Sequence, residues 1–175
     1  MFLRLPFIRP LAPSAAVYPP NGNDWCHEPK WDGLRFQVIK DAAGVRFYSR
    51  HGAEYTDKLP CVREAFAKLP TESAVLDGEL ALIDPRGAAH FYRLMAQMRT
   101  SEPDESQVDV PRFDLLHRGD VDLRDLALLE HKRDLSRLCR KSKLLKEVQT
   151  FPNGPVLFEH CNKFGFEGVA SKRRS

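Results

Sequence analysis

The chain has 175 residues, a formal net charge of +3, 42% hydrophobic residues and 29% charged residues. This composition is typical of a globular protein with a core, and it argues against a disordered chain. No apolar run approaches the roughly 20 residues that a membrane-spanning helix needs and no signal peptide is recognisable, so we expect a cytoplasmic protein with no membrane partner.

The first 24 residues are rich in proline and show no hydrophobic period. Proline removes a backbone donor and disfavours helices, so we interpret residues 1–24 as an extended N-terminal arm that packs along the domain surface. Residues 25–175 are then the folded domain. Its first part, Trp25 to Lys30, leads into a turn around a lysine.

Lys30 is followed by Asp32, Gly33 and Arg35, and an apolar run typical of a strand comes next. A lysine is a nucleophile only when unprotonated, and its ordinary pKa is about 10.4. Burial and a nearby cation such as Arg35 would both lower that pKa. The residues alone leave two interpretations open: a reactive lysine in a cleft, or an exposed lysine at the end of a strand.

Hydrophobic periodicity predicts the other elements in chain order. We expect strands over 35–40, 45–49, 74–83, 112–116 and 165–172, and helices over 59–69, 90–98, 128–138 and 156–164. The helix over 128–138 is interpreted as a surface helix whose charges face solvent. Because strands and helices are mixed without strict alternation, the fold class expected is α+β with antiparallel sheets.

The strand over 74–83 carries Asp77 and Glu79 within an otherwise apolar run. Burying two carboxylates is costly unless they are paired or bind a metal, so this pattern favours a functional site. The alternative is a bulge at Gly78 with both carboxylates turned to water.

Five motifs together resemble the ordered motifs of covalent nucleotidyltransferases, most closely those of bacterial ATP-dependent DNA ligases of the end-joining type. They are Lys30-Trp31-Asp32-Gly33-Leu34-Arg35, Ser49-Arg50-His51-Gly52, Asp77-Gly78-Glu79, Phe113-Asp114-Leu115-Leu116 and Glu167-Gly168-Val169-Ala170-Ser171-Lys172. The resemblance implies an adenylation-domain (ATP-grasp-like covalent nucleotidyltransferase) fold, with antiparallel sheets flanked by helices.

The resemblance also implies the reaction. Lys30 would form a lysyl-AMP intermediate with ATP in the presence of Mg²⁺ or Mn²⁺, and the AMP would pass to a DNA 5′-phosphate in repair and recombination. The implied partners are ATP, nicked or broken duplex DNA, and DNA end-joining proteins.

The resemblance assigns a role to each remaining site residue. Glu28 corresponds to the acceptor for the adenine amino group, and Phe113 to the aromatic ring that stacks on the base. The resemblance implies that Arg35 and Arg50 contact ribose, phosphate or the nick. It implies that Glu79 and Glu167 contact ribose and the divalent metal, and that Lys172 neutralises the α-phosphate.

The sequence departs from the family pattern after Lys172. The family continues into a Lys-x-Lys motif and usually an OB fold, and neither is found in these 175 residues. We therefore expect an adenylation domain that is incomplete at its C-terminus, with impaired activity in isolation. Two alternatives stay open: a catalytically dead remnant that binds nucleotide or DNA, and an RNA ligase or capping-type nucleotidyltransferase.

A nucleotide-competition assay separates the last alternative from a DNA ligase. Because Glu28 and Phe113 are the expected adenine contacts, labelling from α-labelled ATP should persist in excess unlabelled GTP and disappear in excess unlabelled ATP. Equal competition by the two nucleotides would contradict the assignment.

Overall fold

The computed structural model describes residues 4–84 and 89–174. Its strands are β1 (Trp25–Lys30), β2 (Leu34–Asp41), β3 (Gly44–Ser49), β4 (Ala74–Leu82), β5 (Val108–Arg118), β6 (Val121–Asp122), β7 (Leu145–Glu147) and β8 (Gly168–Arg173). Its helices are α1 (Pro60–Ala67), α2 (Phe91–Met98), α3 (Leu128–Cys139) and α4 (Gly154–Phe164), with short 3₁₀ turns at Thr56–Lys58 and Glu105–Gln107. Within the described ranges, no helix is both long and apolar enough to cross a membrane.

Two sheets build the domain. The larger has the strand order β3-β2-β4-β5-β6 with antiparallel neighbours, and β7 adds to β5 in parallel. The smaller is the antiparallel pair of β1 and β8. Four helices accompany these sheets, so the predicted α+β class with antiparallel sheets is confirmed.

The main core lies between the larger sheet and helices α1, α2 and α3. Phe66, Leu94 and Leu135 represent the three helices in this cluster, and each is at most 1% exposed. Burying one such side chain contributes about 1.5–3 kcal/mol to stability. The helices thus hold β2, β4 and β5 rigidly in place, and these are the strands that carry Arg35, Asp77, Glu79 and Phe113.

The opposite face of the larger sheet is covered by the N-terminal segment. Residues 4–24 form neither helix nor strand. The Leu5 side chain is buried, and its amide donates to the Asp41 carboxylate at 2.8 Å. The Gln37 side chain accepts from the Ile8 amide and donates to the Ile8 carbonyl, both at 2.8 Å. The segment is therefore fastened by specific polar contacts to the sheet.

The smaller sheet brings the two ends of the domain together. Its register runs from Trp25 opposite Arg173 to Lys30 opposite Gly168. Strand β1 was not predicted, because Trp25–Lys30 contains Pro29 and alternates poorly. Strands β6 and β7 were also not predicted, since two or three residues carry no periodic signal.

Gly33 lies where the turn after β1 is pressed against β4. A Cβ atom at this position would lie 2.4 Å from the Leu80 carbonyl oxygen and 2.7 Å from Cγ of Glu79. Real Cβ atoms do not tolerate such distances, so glycine is required for the close approach. The approach sets the turn that follows Lys30 directly beside Glu79.

Helix α3 differs from its prediction. It was interpreted as a surface helix with its charges in solvent, and this is wrong for His131 and Lys132, which are each 6% exposed. The His131 ring lies 3.0 Å from the Asp114 carboxylate, and Lys132 pairs with Glu28. These buried polar side chains are held by partners on other elements, as burial demands.

Replacing Gly33 by alanine should destabilise the domain, because backbone atoms of β4 occupy the space of the new methyl group. We expect a loss of about 2–3 kcal/mol, as for overpacked sites. Gly119→Ala is the matched control, since Gly119 has φ +58° but open space around it. That change should cost only about 1 kcal/mol of left-handed strain. Urea denaturation measures both; an equal or smaller loss for Gly33→Ala would contradict the steric explanation.

Candidate active site

Side chains of the small sheet and the larger sheet meet in one region, called the cleft below, and Lys30 ends the strand of the small sheet that leads into it. The Lys30 ammonium forms an ion pair with Glu167, and the two side chains are 42% and 44% exposed. The Trp31 and Phe166 rings, the residues next to this pair, meet edge to face with centroids 5.0 Å apart. This ring contact fixes the two backbones, while the lysine amine stays within reach of a ligand.

Arg35 and Asp77 form an ion pair with two hydrogen bonds on the larger-sheet side of the cleft. Nε and Nη2 of Arg35 donate to the two Asp77 oxygens at 3.2 and 2.7 Å. The third nitrogen of Arg35, Nη1, donates to the Leu11 carbonyl at 2.6 Å, which ties the N-terminal segment to this site. Burial raises the pKa of Asp77, and the Arg35 guanidinium opposes that shift. Asp77 is therefore committed to an ion pair.

Glu79 lies on the same face as Asp77, because the pairing of β2 with β4 is unbroken from Leu34–Leu80 to Lys40–Ala74. Unlike Asp77, it accepts no hydrogen bond from any residue in the described ranges. Burial raises the pKa of Glu79 to about 8, although Lys30 and Arg35 oppose the shift. A carboxyl group held in this way has a high affinity for either a proton or a cation.

The ring of Phe113, on β5, is flanked by two cations. Nζ of Lys172 lies 4.6 Å from the ring centroid, and the Arg35 guanidinium carbon lies 5.4 Å from it. Nζ of Lys172 also donates to the Phe113 carbonyl at 3.4 Å. The ring is half-buried and presents a π face inside the cleft, with the positive charges of Lys172 and Arg35 next to it.

Glu28 is the most deeply buried charged residue of the cleft, with 2% exposure. Its Oε1 pairs with Nζ of Lys132 on α3, and its Oε2 lies 2.9 Å from Nζ of Lys172 on β8. The sequence-based prediction missed Lys132. The signal for it was present, because Lys132 follows Leu128 by four residues and precedes Leu135 by three, which is the spacing of the apolar helix face.

The structure thus brings most of the predicted residues into one cleft: Glu28, Lys30, Arg35, Glu79, Phe113, Glu167 and Lys172. Arg50 differs, because its side chain is exposed in the turn after β3. Its backbone amide donates to the Arg35 carbonyl at 3.2 Å, so the turn adjoins the cleft.

The carboxylates of the cleft fit one kind of metal site. In residues 4–84 and 89–174, no group of three or more His, Cys, Asp or Glu side chains is arranged to hold a metal ion. Glu79 and Glu167 both act electrostatically on each other and flank Lys30. Mg²⁺ is commonly bound by one or two carboxylates together with substrate phosphates and water. The donors present fit that mode and do not form an all-protein metal cage.

Comparison with known proteins identifies the class to which this fold and cleft belong. The ligase domain of LigD from M. tuberculosis superimposes with a TM-score of 0.72 and 28% identity, over 90% of this chain and 54% of that chain. A mycobacterial DNA ligase D solved in complex with ATP and MES gives a TM-score of 0.70 and 27% identity, over 90% and 53% of the two chains. The fold is that of the nucleotidyltransferase domain of DNA ligases.

Sequence relatives give the family. The family described as "ATP dependent DNA ligase domain" matches residues 12–172. The chain belongs to this family of ATP-dependent DNA ligase domains. Its relatives include the multifunctional non-homologous end joining protein LigD of Pseudomonas aeruginosa, which is 34% identical over 171 residues, covering 95% of this chain and 20% of that protein. A probable DNA ligase of Streptomyces coelicolor is 36% identical over 158 residues, covering 83% of this chain and 30% of that protein.

The raised pKa of Glu79 predicts that the free energy of unfolding depends on pH. The pKa of Glu79 is 4.5 in the unfolded chain and about 8 in the folded protein. Between these two pH values the folded protein holds the proton more tightly than the unfolded chain, so stability falls as pH rises through this window. Glu79→Gln mimics the protonated form and removes this pH dependence. The variant should therefore gain stability relative to wild type between pH 5 and pH 8, as roughly bounded by the two pKa values.

Urea unfolding at the two pH values measures this difference, and Glu64→Gln is the control. Glu64 is exposed and its pKa is lowered by Lys68, so its proton is lost below the window. Its effect on stability should be constant across the window. A constant difference for Glu79→Gln as well would show that the carboxyl is not desolvated.

Proposed function

We propose that this chain acts as the adenylylating domain of an ATP-dependent DNA ligase, with Lys30 as the nucleophile. The observation that carries the proposal is the position of Lys30: it ends β1, is half-exposed, pairs with the Glu167 carboxylate and acts electrostatically on the Glu79 carboxyl. Family membership supports the same reaction. The chain spans about a fifth to a third of the curated relatives described above, so the activity and partners of a whole ligase are proposed here.

The first chemical step follows from the amine. Lys30 must leave Glu167 and lose one proton to solvent before its lone pair can attack the α-phosphorus of ATP. A P–N bond forms, the bond from the α-phosphorus to the bridging oxygen breaks, and pyrophosphate departs. Charge increases on the phosphate oxygens in the transition state, and positive groups held nearby stabilise it. Lys172 and Arg35 supply that charge from opposite sides of the cleft.

The base is bound by Phe113 and Glu28 in this proposal. Adenine would stack on the ring of Phe113, a contact worth about 1–3 kcal/mol in nucleic-acid sites. Lys172 lies over that ring, so nucleotide entry requires the lysine to move toward the phosphates. Glu28 would accept the hydrogen bond of the adenine amino group, which guanine, with a carbonyl at that position, does not offer.

Glu79 and Glu167 are the residues that would hold Mg²⁺ or Mn²⁺. The divalent ion would supply charge neutralisation at the phosphates when bound. The protein's own contribution is the pair of carboxylates beside Lys30, with Arg35 keeping Asp77 out of the metal site through two hydrogen bonds. Arg50, exposed in the turn beside the cleft, is proposed as a contact to phosphate or to the nick.

The acceptor proposed for the AMP is the 5′-phosphate of nicked or broken duplex DNA. Family membership supports this choice over RNA. The relatives named for non-homologous end joining support a role in DNA repair, with end-joining proteins as further partners.

Lys30→Ala should abolish covalent labelling by α-labelled ATP with magnesium, read on a denaturing gel, because the other amines of the cleft, Lys132 and Lys172, are held against the Glu28 carboxylate. The fold should persist, since the side chain is half-exposed and contributes little to the core. Lys30→Arg is the matched variant: it keeps a cation for Glu167 but is not nucleophilic at neutral pH, so it should also fail to label.

Lys143→Ala is the second control, since Lys143 is exposed and lies in the segment between α3 and β7. It should label as wild type does. Circular dichroism checks that all the variants are folded. Label retained by Lys30→Ala, or none taken by wild type, would overturn the assignment of the nucleophile.

A further inference from the structure

Glu28 carries its negative charge in a buried position between two lysines that come from different parts of the fold. The side chains of Glu28, Lys132 and Lys172 are 2%, 7% and 24% exposed, respectively. A carboxylate buried this deeply is strongly destabilising unless a cation stays beside it. The cleft therefore has to keep at least one of the two ammonium groups at Glu28 at all times.

The two lysines are not equivalent partners. Lys132 is enclosed, and besides Glu28 its Nζ reaches only the Val148 carbonyl, at 3.4 Å, among the described residues. Burial lowers the pKa of Lys132, and the Glu28 carboxylate opposes that shift. Lys132 is a fixed member of the cleft.

Lys172 is an exchangeable partner. It is more exposed than Lys132, and among the described residues its Nζ contacts, apart from Glu28, only Phe113, at 4.6 Å from the ring centroid and 3.4 Å from the carbonyl. A base that stacks on Phe113 and a phosphate that attracts a cation would both draw Lys172 away from Glu28. Only Lys132 then remains to compensate the carboxylate.

We propose that Lys132 is a positioning residue for recognition of the adenine base: it holds Glu28 as an oriented acceptor while Lys172 moves from Glu28 and Phe113 to the phosphates. The proposal rests on the proposed function, because it presupposes that a nucleotide enters this cleft. It adds a residue on α3, outside the five motifs, to the determinants of base specificity. Without Lys132, Lys172 would have to stay on Glu28, and the Glu28 carboxylate and the phosphates would compete for one cation.

The test compares binding of ATP with binding of purine riboside triphosphate, which lacks the 6-amino group and is otherwise the same molecule. Isothermal titration with EDTA present measures both dissociation constants without the metal-dependent transfer. In wild type, ATP should bind about tenfold or more tightly than the analogue, the value expected of a hydrogen bond to a charged acceptor. In Lys132→Met, which keeps the length of the side chain, the ratio should fall toward one.

Two further variants separate positioning from a structural role. Lys132→Arg keeps the cation and should restore the preference for ATP, whereas Lys132→Gln should not. If Lys132→Met fails to fold, as judged by circular dichroism, the Gln and Arg variants carry the comparison. A structural role alone would weaken both nucleotides equally and leave their ratio at the wild-type value.

The outcomes distinguish the inference from the function on which it rests. If wild type binds neither nucleotide, the proposed function fails. If wild type binds both equally, or if folded Lys132→Met and Lys132→Gln keep the wild-type preference for ATP, the positioning role of Lys132 is overturned while nucleotide binding stands.

Discussion

The burial of one carboxylate constrains the whole cleft. Glu28 lies on β1 with 2% exposure, and it can lie there only because α3 and β8 each supply an ammonium group. Breaking a buried pair by removing one partner typically costs about 3–5 kcal/mol, so the pairing links three elements that hydrophobic packing alone would not align. Phe113 joins the same network through Lys172. The small sheet, the larger sheet and α3 therefore meet around one charge.

A division between fixed and available charges explains how the cleft suits group transfer. Asp77 and Arg35 satisfy each other through two hydrogen bonds, and Arg35 also reaches the Leu11 carbonyl. Glu79, two residues along β4, is left without such a partner among the described residues and has a pKa raised to about 8 by burial. Lys30 and Glu167 are paired but half-exposed. The groups that a ligand must reach are those whose present partners are weak or exchangeable.

Sequence reasoning identified the parts of the cleft whose local signals are strong, and it failed where the cause lies far along the chain. The apolar run over 74–83 and the hairpin ending in Ser49 were predictable from the local sequence, and Lys30 stood out by its neighbours. Strand β1 was missed because the strand that pairs with it in the described residues, β8, is far away in the sequence. Lys132 was assigned to solvent from the charge of its surroundings, although its spacing from Leu128 and Leu135 places it on the apolar face. The role of Gly33 in bringing its turn against β4 is likewise a tertiary fact, visible only once Leu80 is beside it.

The pairing of β1 with β8 determines when this cleft can form during synthesis of the chain. Lys30 lies opposite Gly168, and Glu28 receives one of its two cations from Lys172, so Lys30 and its surroundings depend on residues that are synthesised much later than Lys30 itself. The larger sheet contains mostly neighbouring strands and can assemble from the growing chain, as domains do when they fold from the N-terminus. Pairings between distant segments form late because loop closure must come first. A ribosome-bound chain that ends before Glu167 would hold Glu28 with Lys132 alone and would leave Lys30 without its carboxylate partner, so the site is completed only after β8 has been synthesised.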